Sequence, residues 1–147
     1  MYDYVLQYGF DMESQNYIQS IKDFLRNNGI KDRERNWLPH ITIDLYNCKN
    51  QNEFINKLDT IMEYIKEFYI EFKNLNTCND ETLYIEPYNK KELMDLKQFF
   101  NKELNIYMLE KRKERKYIPH ATLCTSDTLD KSIQLANEKF NPFTAKI

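Results

Sequence analysis

Sliding the chain against itself by 80 residues lays Pro39-His40-Ile41-Thr42 on Pro119-His120-Ala121-Thr122 without a gap, and these frames hold the only two histidines among 147 residues. A chain that repeats at about half its length is constrained to fold as two like units, because each copy carries the same order of buried and exposed positions. The match extends upstream, with Lys31 on Lys111, Arg33 on Lys113, Glu34 on Glu114, Arg35 on Arg115, Trp37 on Tyr117 and Leu38 on Ile118. At the same offset Tyr4 falls on Tyr84, Val5 on Ile85 and Tyr8 on Tyr88. With eleven tyrosines in the chain these last matches are weak alone, but joined to the ungapped frames they support a duplication.

Periodicity fills in the repeat unit. Tyr2 to Phe10 alternates as a strand, with Tyr4, Leu6, Tyr8 and Phe10 on one face and Val5 and Gln7 on the other. Ile18, Ile21 and Leu25 recur at helical spacing, and Gly29 suits the left-handed turn that ends many helices. After the charged loop Lys31 to Asn36 come a strand from Pro39 to Tyr46, a helix carrying Phe54, Leu58, Ile61, Met62 and Ile65, and a strand near Tyr69 to Leu75. The second half repeats that order. Thr82 to Tyr88 is a strand, Leu93, Leu96, Phe100 and Leu104 mark a helix, and Lys111 to Lys116 is a charged loop. Ile118 to Thr125 is a strand, a helix capped by Asp127 or Thr128 carries Leu129, Ile133 and Ala136, and Phe140 to Ile147 closes the chain. The expected architecture is α+β: one domain over 1–147, built as a duplicated bilobal β-α-β-α-β fold with lobes around 1–76 and 82–147. Two mainly antiparallel sheets, related by an approximate two-fold, are expected to form a central cleft.

Bulk properties narrow the function classes. A net charge of −2 and a pI near 5.8 exclude a broadly basic nucleic-acid coat protein, so any anion site is small and local. Cys48, Cys78 and Cys124 are odd in number and form no Cys-x-x-Cys pair, which fits reduced thiols rather than a disulfide or zinc framework. Met1-Tyr2-Asp3-Tyr4-Val5 is not a basic segment followed by a long apolar run, and no stretch approaches the roughly 20 apolar residues a membrane helix needs. We expect a cytoplasmic protein with no membrane partner, monomeric.

Alternation along a strand sends His40 and Thr42 to one face, and His120 and Thr122 likewise, while Ile41, Ile43, Ala121 and Leu123 point into the lobes. Two imidazoles facing one cleft suit phosphoryl chemistry: one takes a proton from the attacking oxygen and the other protonates the departing one. The threonine hydroxyls suit donation to non-bridging phosphate oxygens. No cofactor or metal is required, because two histidines lack a third zinc ligand, for which Cys124 is the nearest candidate and packing its alternative.

Paired Pro-His-x-Thr frames, half a small domain apart in a duplicated α+β chain, resemble the two-histidine (2H) phosphoesterase superfamily, and within it the 2′-5′ RNA ligase-like cyclic phosphodiesterases. The resemblance implies metal-independent cleavage of 2′,3′-cyclic phosphate ends of RNA or nucleotides, or of related 2′-5′ phosphodiester bonds. It makes His40 and His120 the acid and base, with His40 the acid when the 2′ oxygen leaves, and Thr42 and Thr122 the phosphate donors. Many members place an arginine shortly after the second frame, where this chain has Leu123-Cys124-Thr125-Ser126. That departure bears on substrate choice, and it keeps two alternatives open: a nucleotide- or RNA-binding module without turnover, and 2′-5′ ligation, the reverse of the same chemistry.

Further candidates are weighed on position. The two charged loops lead into the histidine frames, so Arg35 and Arg115 are candidates for attracting an anionic substrate, against the plain reading of solvated loops. Trp37 and Tyr117 suit either stacking on a nucleobase or packing inside a lobe, and Tyr8, Tyr84 and Tyr88 are further stacking candidates that an aromatic core explains equally well. Asp44, on the face of His40, is expected as a solvated carboxylate at the cleft edge rather than as a partner of the imidazole.

Overall fold

The computed structural model describes residues 2–147. Its six strands are β1 (Tyr4–Tyr8), β2 (Ile41–Tyr46), β3 (Tyr69–Cys78), β4 (Thr82–Pro87), β5 (Ala121–Thr125) and β6 (Phe143–Lys146). The helices are α1 (Met12–Asn27), α2 (Gln51–Met62), α3 (Lys91–Glu103), the single turn α4 (Glu110–Lys113) and α5 (Leu129–Lys139). Most expected elements are present, but the charged stretch from Lys111 contributes a helical turn, and the strands holding the two frames begin just after the histidines.

Local chemistry accounts for the boundaries. The Asp11 side chain accepts the Ser14 N–H at the start of α1, and Asn50 accepts that of Glu53 at the start of α2, each satisfying an otherwise unpaired donor. At the other end of α1, Gly29 takes a φ of 91° while its N–H donates to the Arg26 carbonyl and the Ile30 N–H to that of Leu25. This paired closure needs a left-handed residue, and it buries Ile30 beside Leu25.

The expected pair of sheets is corrected to one. The strand order is β1-β2-β5-β4-β3-β6, antiparallel throughout. The two halves meet where β2 joins β5 through one residue pair, Ile41 opposite Ala121. The order is not that of two equal lobes, because β3, from the first half, adds to β4 of the second, and β6 then adds to β3. Periodicity identifies a strand but not the edge it joins, and β3 leads directly into β4 through the three-residue turn Asn79-Asp80-Glu81, whose first two residues take positive φ. The sheet curls enough for its far ends to meet: the Asp11 N–H donates to the Lys146 carbonyl at 3.0 Å, and the Lys146 N–H returns to the Asp11 carboxylate at 2.8 Å.

Both central strands carry a bulge at the same repeat position. Ile43 is the extra residue in β2 opposite β1, and Leu123 the extra residue in β5 opposite β4. A bulge interrupts strict alternation, so Asp44 and Cys124 are buried along with the residues before them. One core runs through the molecule, with Ile41, Ile43, Ala121 and Leu123 inside it and α1 packed on α5. No helix among the described residues is long and apolar enough to cross a membrane.

Candidate functional site

The Ile41–Ala121 pair fixes the geometry of the four frame residues. In antiparallel register His40 falls across from Thr122 and Thr42 across from His120, all four half-buried on the face opposite the Ile41 and Ala121 side chains. The histidines are diagonal cross-strand neighbours, for which Cβ separations of about 7–8 Å are usual. A tetrahedral group such as phosphate spans a gap of that order.

Each imidazole is held the same way. His40 Nδ1 lies 2.7 Å from the Leu38 carbonyl oxygen, and His120 Nδ1 lies 2.7 Å from that of Ile118. A carbonyl only accepts, so Nδ1 carries the proton in both rings and Nε2 is the nitrogen free for proton transfer. His40 Nε2 stands 3.1 Å from the Thr42 hydroxyl. Pro39 and Pro119 are buried just before the histidines and give no N–H to compete for those carbonyls. An aromatic ring backs each imidazole, Trp37 at 5.5 Å from His40 and Tyr84 at 5.0 Å from His120, centroid to centroid.

A cavity of about 370 Å³ is lined by Thr42, Thr122, His120, Tyr117 and a set of charged side chains, while His40 and Trp37 lie outside its lining. Beneath it Asp44 is almost fully buried, its carboxylate held by Lys97 of α3 and by Arg112 Nε of α4, the latter at 2.6 Å. The expected solvated carboxylate is thus corrected to a buried ion cluster. Burial alone would raise the Asp44 carboxyl, but hydrogen bonds from Lys97, the Leu45 N–H and Arg112 outweigh it and hold the group below the ordinary carboxylate range. Lys97 is pushed below the usual lysine value, first by burial and further by Arg112 and Arg115, against the pull of Asp44.

The remaining sequence candidates divide. Arg115 lines the cavity, whereas Arg35 is exposed and does not. Tyr117 is half-buried, donates its hydroxyl to the Thr42 carbonyl at 2.9 Å and presents its ring to the cavity. Trp37 is 48% exposed beside His40 and keeps a free ring surface. Tyr84 is buried behind His120, and Tyr8 lies in the core with its ring edge against Phe68, so neither offers an open face; Tyr88 is exposed but does not line the cavity. Cys124 is buried against Ser132 of α5 rather than turned to the cleft, because the bulge at Leu123 turns it inward. Among the described residues no group of three or more His, Cys, Asp or Glu side chains is placed to hold a metal ion.

Lys97 is absent from the sequence candidates, and Arg112 falls within the second charged loop without being singled out. Lys97 follows Leu93 by four residues and precedes Phe100 by three, so a cation interrupts the apolar stripe of α3, and that interruption was the available signal. The first charged loop serves a different end: Arg33 bridges Glu81 at 2.6 Å and Asp127 at 2.9 Å, and the Asp32 carboxylate accepts the Thr125 N–H, which ties the loop to β5.

Comparison with known families agrees with this arrangement over nearly the whole chain: the family model described as the 2′-5′ RNA ligase superfamily matches residues 10–146. No curated protein sequence matches the chain.

Proposed function

This chain belongs to the 2′-5′ RNA ligase superfamily, within the two-histidine phosphoesterases, and on that premise we propose that it hydrolyses 2′,3′-cyclic phosphate ends of RNA or nucleotides without a metal. The observation that supports the reading is the mirrored pair of Nδ1–H bonds to the Leu38 and Ile118 carbonyls, which leaves Nε2 of each ring as its proton-transfer atom.

In the proposed reaction His120 Nε2 takes a proton from a water whose oxygen forms the new bond to phosphorus. His40, entering as the imidazolium, gives its Nε2 proton to the 2′ oxygen as the bond between that oxygen and phosphorus breaks, leaving a 3′-phosphate. The Thr42 and Thr122 hydroxyls turn to the non-bridging oxygens and stabilise the charge that gathers on them. Thr42 already rests on His40 Nε2, so the same hydroxyl is in reach of the group that the imidazole protonates. Ligation to a 2′-5′ bond uses the same acid–base pair, with a ribose 5′-hydroxyl attacking phosphorus in place of water and the 3′ oxygen departing, and the family's description keeps that outcome in view.

Incubation with a nucleoside 2′,3′-cyclic phosphate in excess EDTA tests the reading. Steady release of a monophosphate with a bell-shaped dependence of rate on pH is expected. Stoichiometric binding with no release would replace the enzyme with a binding module.

A further inference from the structure

The cavity is electrostatically lopsided in a way that the two-histidine chemistry does not require. Six charged side chains line it: the cations Lys97, Arg112, Arg115 and Lys116, and the carboxylates Glu34 and Asp44. Four cations against two carboxylates give a local surplus of +2 in a chain whose net charge is −2. Part of the surplus is buried. Asp44 is 1% exposed and faces two cations whose side chains are 8% and 13% exposed, so among the described residues one positive charge in that cluster has no carboxylate partner. Burying an uncompensated charge is unfavourable, and an anion entering the cavity relieves it.

The duplication shows that the feature belongs to one side alone. At the shared offset Asp44 corresponds to Cys124, and Arg112 to Asp32. On that other side Cys124 is a buried thiol, and Asp32 accepts a backbone N–H from Thr125. The frames are matched up to the threonines, whereas the positions just beyond them carry a carboxylate with two cations in one half and a thiol in the other.

We propose that Lys97, Arg112 and Arg115 form a binding site for a second phosphate, so that the cleft selects substrates carrying one more phosphate than the group that reacts. This deepens the reading of the cleft as a phosphodiesterase site and rests on it for the identity of the first phosphate. Arg112 is suited to the task. Asp44 engages its Nε, the Tyr2 ring lies 5.6 Å from its Cζ, and among the described residues neither terminal amino group has a hydrogen-bond partner, so both suit a phosphate gripped by two parallel hydrogen bonds. The second phosphate has two possible sources: the internucleotide phosphate next to an RNA end, or the 5′-phosphate of a single nucleotide.

Calorimetric titration of the full chain separates these and does not depend on turnover. The ligands are a nucleoside 3′-monophosphate, the matching 3′,5′-bisphosphate, and a dinucleotide with one internal phosphodiester and a terminal 3′-phosphate. At least tenfold tighter binding of one two-phosphate ligand over the monophosphate is expected, and the tighter of the two names the source. Affinities within twofold across all three would overturn the proposal. Arg112→Gln is expected to shrink the preference at least fivefold, and Arg115→Gln, at an exposed position, at least threefold. A preference unchanged in both variants also overturns it. If the preference is present while cyclic ends are left uncut, the second site stands and the proposed reaction fails. If cyclic ends are cut with no preference, the reverse holds.

Discussion

Ile41 and Ala121 stand opposite one another in the one residue pair that joins β2 to β5, and they are also the residues that follow the two histidines in the repeated frames. The spacing of 80 in the sequence is thereby a pairing in space. It brings each histidine across from the other frame's threonine, so neither frame completes the site alone.

The threonines are expected to act on the transition state more than on the bound substrate. Thr42→Val or Thr122→Val removes one hydroxyl donor with little change in volume, and kcat on a cyclic phosphate is expected to fall by about 10²-fold with a smaller change in KM. Steady-state kinetics on the two variants checks this, and a rise in KM at constant kcat would point to uniform binding instead.

Asp44 ties folding to the cleft. Its removal leaves Lys97 and Arg112 buried without their counter-ion, so Asp44→Ala is expected to lower stability by about 3–5 kcal/mol in urea unfolding. The pH dependence follows from its depressed carboxyl. The folded value lies below the unfolded one of about 3.9, so the unfolded chain binds more protons between the two. The contribution is full above the unfolded value and is lost as pH falls through the folded one. Unfolding curves collected across that acid range should show a shallower decline for Asp44→Asn than for the parent.

How much of this was legible beforehand depends on the kind of contact. The histidine frames, the helix stop at Gly29 and most strands follow from local pattern and spacing, which a sequence carries directly. The partners of Asp44 lie 53 and 68 residues away on α3 and α4, and nothing local distinguishes a carboxylate that meets buried cations from one that meets water. The same limit explains the sheet: β3 reads as a strand from its own residues, but its place beside β4 is set by the turn at Asn79-Asp80. The bulges at Ile43 and Leu123 then turned Asp44 and Cys124 away from where alternation places them.

Arg33 offers a contrast with Asp44. Its guanidinium meets Glu81 and Asp127, but all three side chains are about half exposed or more, where solvent screens the attraction. Arg33→Ala is expected to change stability by less than about 1 kcal/mol, as read from the urea midpoint.

Cys124 is expected to be chemically silent in the folded protein. It is 1% exposed, and burial pushes its thiol above the ordinary range, which removes both access and thiolate. Thiol labelling followed by peptide mass analysis should find Cys124 unmodified in buffer and modified in denaturant, and labelling of the native protein at this position would contradict its place in the core.

The most direct measurement of the account is product analysis of a short RNA with a 2′,3′-cyclic end, treated with the parent protein, His40→Ala and His120→Ala. Conversion to a single terminal phosphate by the parent is expected, at the 3′ position if His40 protonates the departing 2′ oxygen. A loss of about 10²–10⁴-fold in rate is expected in each variant. Undiminished conversion by either variant would contradict it.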